Sequence, residues 1–184
     1  MPFFKSLPKN AGPPNVFKQY PDIYGPWSET SEAMMNGPSP LSQGERELLQ
    51  AYAAGISGCA FVYTGHSEVA YAWGIARGTL EKLMADIETA PVDDRLKPIF
   101  AYVRKLVTAP RDLTQADADA VFDAGWAEKA LHDAVVITAR VAFMQRLVDG
   151  FGFAPLDPAV AASHAKKRVE RGYVNVYSTF RKQK

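Results

Sequence analysis

A single cysteine, Cys59, stands in a chain of 184 residues. No intramolecular disulfide can form, so no disulfide framework supports the fold. Long apolar runs are also missing: nothing approaches the ~20 consecutive apolar residues that cross a bilayer. The opening stretch MPFFKSLPKNAGPP lacks the apolar segment of about 7–15 residues that marks a signal peptide. A cytoplasmic protein away from the membrane is therefore the expectation. Neither sign of charge prevails, the formal net charge being +1, which argues against general attraction to nucleic acid or anionic lipid. The basic residues near the end (Lys166, Lys167, Arg168, Arg171, Arg181, Lys182 and Lys184) read as a solvated helix face and tail, because Glu170 and aromatic residues interrupt them. Phosphate-binding glycine patterns are absent, and the "GISG" and "GFG" stretches punctuate helices instead. The "HSE" at 66–68 lacks the second histidine of a zinc motif. No metal or cofactor is called for.

What is present is an ordinary globular composition, 47% apolar and 22% charged, long enough for one sizeable core. Residues 1–28 are rich in proline and show no helical period, so they read as an extended arm. Its aromatics, Phe3, Phe4, Phe17, Tyr20, Tyr24 and Trp27, are too many for a solvated linker and call for packing across the domain or onto another subunit. A short helix fits 32–36. Ser42 and Glu45 form a capping box that starts a helix running to about Gly55. The next runs from near Cys59 to about Ala76, and further helices fit 79–87, 93–108, 114–124, 126–150 and 158–170. The weak alternation of "YVNVYSTF" suggests an extended end. The expected fold is all-α: a helical domain over 29–170 between the arm 1–28 and a tail 171–184.

Two helices carry chemistry-bearing residues. Glu47 shares its helix face with Ala51, Ala54 and Gly55, small residues that let a neighbouring helix approach. The carboxylate either enters that groove or stays solvated beside Arg46. On the following helix, Cys59, Val62, His66, Val69 and Trp73 are spaced 3-4-3-4 and lie on one face. A cysteine in the first turn sits near the positive end of the helix dipole, which favours a thiolate, whereas a single buried cysteine behaves as a small hydrophobe. Elsewhere, His132 reads as a surface or interface residue, His164 as a solvated surface residue on a basic helix, and Arg146 and Asp149 as polar contacts at a helix end. Trp73, Phe143, Met144 and Tyr63 are candidates to line a pocket, or else core residues.

Taken together, Glu47, eleven residues, Cys59, two residues, Val62, three residues and His66 resemble the motif of the AhpD-like alkylhydroperoxidases. These belong to the carboxymuconolactone decarboxylase superfamily, and the likeness is to its peroxidase-related branch. The flanks "GPSPLSQGERELL" and "AFMQRLVDGFG" are similar too, and the resemblance spans roughly residues 30–155. It implies an AhpD-like helical bundle, antioxidant peroxidase activity on a peroxide or other small organic substrate, and a homo-oligomer, either a trimer or a hexamer of dimers. It also implies catalytic roles for Glu47, Cys59 and His66, with the glutamate and histidine, bridged by a water, relaying a proton to the second cysteine of the motif.

That second cysteine is Val62 here. Position 62 lies about 6 Å along the helix axis from His66, and position 59 about 10.5 Å away, at ~1.5 Å per residue. A general base acts within roughly 3 Å or through one water, so the missing thiol is the one His66 reaches. The two-cysteine cycle is closed to a lone chain. Three readings stay open. Cys59 forms a sulfenic acid that an external thiol reduces. Alternatively, Glu47 and His66 perform general acid/base chemistry on a small organic substrate, the ionised glutamate raising the histidine pKa. In the third, the fold survives as a non-catalytic scaffold or binding protein.

Overall fold

The computed structural model describes residues 2–176. Its helices are α1 (Pro13–Phe17), α2 (Pro21–Asn36), α3 (Gln43–Ile56), α4 (Ala60–Ala72), α5 (Thr79–Ala85), α6 (Lys97–Thr108), α7 (Gln115–Asp123), α8 (Glu128–Phe151) and α9 (Pro158–Asn175). Short 3-10 turns precede and follow α6. No strand occurs among the described residues, so the fold is all-α.

Local chemistry sets most of these boundaries. Ser42 caps α3: its Oγ accepts from the Glu45 amide at 3.3 Å, and the Glu45 carboxylate accepts from the Ser42 amide at 2.7 Å. Gly152 ends α8 in the left-handed region (φ 69°), and the Phe153 amide then donates back to the Val148 carbonyl at 2.9 Å, the helix-ending pattern glycine favours. Arg46 is buried. Its guanidinium donates to the carbonyls of Met34 (3.1 Å) and Gly37 (2.9 Å) at the end of α2, a cation placed where helix carbonyls are unsatisfied.

The core runs through α3, α5, α6 and α8. Leu48, Leu49, Tyr52, Leu80, Leu83, Ile99, Phe100 and Ile137 are all buried. Their spacing on each helix is the one that puts an apolar stripe inward. Helix α3 packs most intimately on α4, and α9 lies across α4 and α2. The small face of α3 permits that close approach: Ala51 and Ala54 are fully buried, and a Cβ on Gly55 would meet Met84 Sδ at 2.9 Å and Tyr63 Cδ2 at 3.0 Å.

Two departures from the sequence reading matter for the site. The expected extended arm holds α1 and the first two turns of α2, with proline at the start of each helix. A proline there loses no hydrogen bond, so a proline-rich stretch is compatible with helix starts. Phe17 and Tyr24 stack with centroids 4.1 Å apart and are buried, whereas Phe3 and Tyr20 stay exposed. At the other end, α9 continues past 170 and bends at Gly172 (φ 68°), so Tyr173 and Val174 are buried core residues rather than an extended tail. The rest of "YVNVYSTF", from 177 onward, lies outside the described residues.

Replacing Ala51 by leucine is expected to destabilise the chain by about 1–3 kcal/mol through overpacking between α3 and α4. Chemical denaturation of the variant beside the parent measures it.

Candidate functional site

Glu47 lies one turn into α3, 1% exposed, and His66 lies midway along α4, 8% exposed. The small face of α3 brings the two helices close enough for Glu47 Oε2 to meet His66 Nδ1 directly at 2.6 Å. The bridging water implied by the resemblance has no place at that distance. The bend at Gly172 delivers a third partner. Tyr173 donates its hydroxyl to Glu47 Oε1 at 2.6 Å, and its ring lies parallel to the His66 ring (interplanar angle 7°, centroids 6.4 Å apart). The bend itself is held by Glu32, whose carboxylate accepts from the Tyr173 amide and occupies the space a Cβ on residue 172 would need. A positive φ and that close approach both require glycine.

Charge states follow from these neighbours. Burial works against the Glu47 carboxylate, but the attraction and hydrogen bond of His66, with Arg168 and the Tyr173 hydroxyl, outweigh it and hold Glu47 below the usual carboxylate range. Burial pushes His66 down to about 4, and Arg168 and Arg140 add to that; the pull of Glu47 in the other direction is too small to offset them. The histidine pKa is thus lowered, not raised as the sequence reading expected, because desolvation of the imidazolium was not visible from helix spacing. Burial, with Glu47 beside it, raises Tyr173 above the ordinary phenol value and keeps it protonated. At neutral pH the triad is therefore an ionised glutamate, a neutral imidazole and a phenol. The carboxylate only accepts, so Nδ1 carries the imidazole proton and Nε2 carries the free lone pair.

A cavity of about 220 Å³ opens against this ring. His66, Val62, Val69, Met144, Tyr173 and Trp27 are among its walls, together with Arg140 from α8 and Arg168 and His164 from α9. Its lining is mostly apolar. Of the four pocket candidates from sequence, only Met144 reaches it; Phe143 instead packs on Trp27 at 4.1 Å. His164, read as a surface residue, and Arg168, read as part of a solvated face, both belong to the wall. Tyr173, Arg140 and Arg168 were missed as site residues because each comes from an element distant in sequence from the motif.

Cys59 lies apart. It is the residue before the first turn of α4, 3% exposed, and does not contribute to the cavity wall, whereas Val62 does. Burial raises its thiol pKa, with Asp149 adding to the effect, and the backbone amides of Val62 and Phe61 do not offset this. Of the two readings of Cys59, thiolate or small hydrophobe, this environment favours the second. No group of three or more metal-ligating side chains occurs among the described residues, and none of their helices is long and apolar enough to cross a membrane.

Comparison with solved structures places this arrangement in a known fold. An uncharacterized peroxidase-related protein from Silicibacter sp. TM1040 superposes with a TM-score of 0.70 at 21% identity, covering 77% of this chain and 76% of that one. A second, an alkylhydroperoxidase AhpD core described as an uncharacterized peroxidase-related protein from Ralstonia eutropha JMP134, gives a TM-score of 0.71 at 18% identity, covering 80% of this chain and 77% of that one. The fold is thus the AhpD-like helical fold. No family model and no curated protein sequence matches the chain.

Two outcomes are expected. Because the folded His66 pKa lies below the ordinary 6.5, the unfolded chain binds the proton first as pH falls. The stability present above 6.5 is then lost progressively down to about 4. The depressed Glu47 acts with the same sign at lower pH. Thermal midpoints between those limits should fall by several degrees more for the wild type than for His66→Gln. Cys59 in the folded protein should resist iodoacetamide at pH 7 and become labelled at full rate only in denaturant, which mass spectrometry reads directly.

Proposed function

We propose that this chain performs proton-transfer catalysis on a small organic substrate, with His66 as the base, Glu47 as the group that orients and polarises it, and no thiol step. The observation that carries this is the direct 2.6 Å contact of Glu47 with His66 Nδ1, made by a histidine that also forms part of the cavity wall. A base held in one tautomer by a buried carboxylate, its other nitrogen carrying the lone pair, is the arrangement proton abstraction needs. In the step proposed, a C–H proton passes to Nε2, the electron pair stays on the substrate, and the imidazolium formed is stabilised by Glu47. Return of the proton to carbon or to a leaving oxygen restores the site without an oxidant or reductant.

Peroxidase chemistry through Cys59 finds less support. The thiol is buried, its pKa is raised, and it lies off the cavity that His66 lines. A bare scaffold would be expected to fill the space beside His66 with side chains, and a cavity of about 220 Å³ argues against that form of the third reading. A cytoplasmic homo-oligomer, a trimer or a hexamer of dimers, goes with this reading. Exposed Ile23 and Phe143 supply apolar surface for such contacts.

Hydrogen–deuterium exchange tests the proposal without a known substrate. The chain is incubated in D₂O with a panel of small carbon acids, esters and lactones, and loss of C–H signal is followed by proton NMR. Exchange of at least one panel member should be accelerated, fall ~100-fold or more in His66→Ala and in Glu47→Gln, and stay within about twofold in Cys59→Ser. Activity that vanishes in Cys59→Ser but survives in His66→Ala would sink the proposal and revive the thiol reading.

A further inference from the structure

The cavity wall carries charge of one sign. Arg140 and Arg168 both line it, with His164 beside them, and no aspartate or glutamate does so among the described residues. Glu47 is not part of the wall and is already bonded to His66 and Tyr173. The two guanidinium groups approach the Tyr173 ring with Cζ 4.7 Å (Arg140) and 4.5 Å (Arg168) from its centroid. They therefore converge on the residue that marks the reactive end of the cavity.

Arg140 is the more telling of the two. It is 4% exposed, and a buried charge is costly unless its donors are used. Among the described residues its Nε donates to Ser31 Oγ at 3.2 Å, while Nη1 is buried with no hydrogen-bond partner. A guanidinium presents a planar fork of donors that matches a carboxylate. The rest of the wall, with Val62, Val69 and Met144, suits a hydrocarbon body. At about 220 Å³ the space exceeds the ~150 Å³ apolar cavity that admits benzene, leaving room for one ring and a small anionic group.

We propose that this cavity binds a small organic acid, its carboxylate held by Arg140 and Arg168 and its apolar body against Val62, Val69 and Met144, so that its carbon chain lies beside His66. The substrate class of the proton-transfer reaction is then a monocarboxylate of about one ring in size. This rests on the reading of the His66 cavity as the active site.

Isothermal titration calorimetry of the full chain with benzoate, and with benzamide as its neutral isostere, tests the assignment. Benzoate should bind at least tenfold more tightly than benzamide. Arg168→Gln should weaken benzoate at least tenfold while leaving benzamide unchanged, and Cys59→Ser should bind both as the wild type does. Arg140→Gln is expected to lose benzoate as well. Because Arg140 is a core residue whose loss can unfold the chain, the half-buried Arg168 carries the test. Equal binding of the two probes, benzoate affinity unmoved in Arg168→Gln, or no benzoate binding up to millimolar concentration each overturns the proposal. A chain that binds benzoate through Arg168 but catalyses no exchange keeps the carboxylate site and loses the catalytic reading. One that exchanges neutral carbon acids yet ignores benzoate does the reverse.

Discussion

A carboxylate buried to 1% exposure is the constraint around which this fold is arranged. Leaving such a charge without partners costs several kcal/mol, so Glu47 is tolerable only where other groups satisfy it. Both of its oxygens are engaged at 2.6 Å, one by His66 and one by Tyr173. Those partners come from α4 and α9, and both helices must be in place on α3 at once. The small face of α3, the bend at Gly172 and the grip of Glu32 on the Tyr173 backbone are the local means by which the chain meets that demand. Polar satisfaction here fixes the relative placement of helices that apolar packing alone would leave free to slide.

The same burial decides the chemistry. Desolvation penalises the imidazolium more than the neighbouring glutamate favours it, so the histidine is neutral and its tautomer is set by the carboxylate. Along α4 the period of the helix then sorts the motif positions. Val62, four residues from His66, reaches the cavity wall, while Cys59, seven residues away at the very start of the helix, does not. Axial distance alone separates the thiol from the base, and the structure adds that the thiol is turned into packed surroundings where its ionisation is disfavoured.

Much of this was legible in the sequence wherever the signal was local. The capping box at Ser42, the glycine stop of α8 and the apolar stripes place most helices to within a few residues. The Glu47–Cys59–His66 spacing pointed to α3 and α4, whose Glu47 and His66 side chains meet. What escaped were features decided by contacts across the chain. Tyr173 stands 126 positions from the carboxylate it satisfies, and nothing in the run "ERGYVNV" announces that a positive φ at Gly172 folds the ring inward. Arg168 sits in a stretch of lysines and arginines whose pattern is that of a solvated face, and only the seating of α9 across α4 reveals the side turned to the cavity. The prolines at 13, 21 and 26 suggested an extended arm because their helix-breaking role outweighs their helix-starting one in a sequence window. Burial of Phe17 and Tyr24 against each other settles it in favour of helix.

The arginines tie these strands together. Arg168 and Arg140 both help to lower the pKa of His66, so by itself the imidazole is neutral and a weak base. An anion seated between them would cancel part of their field at the imidazole and move its pKa upward, towards the range in which a base accepts a proton most effectively at neutral pH. Ligand charge and base strength would then be coupled. By linkage, the protonated imidazolium would hold the anion more tightly than the neutral ring does. In such a site the substrate's own carboxylate would complete the catalyst, with Arg140 and Arg168 in the cavity wall to hold it.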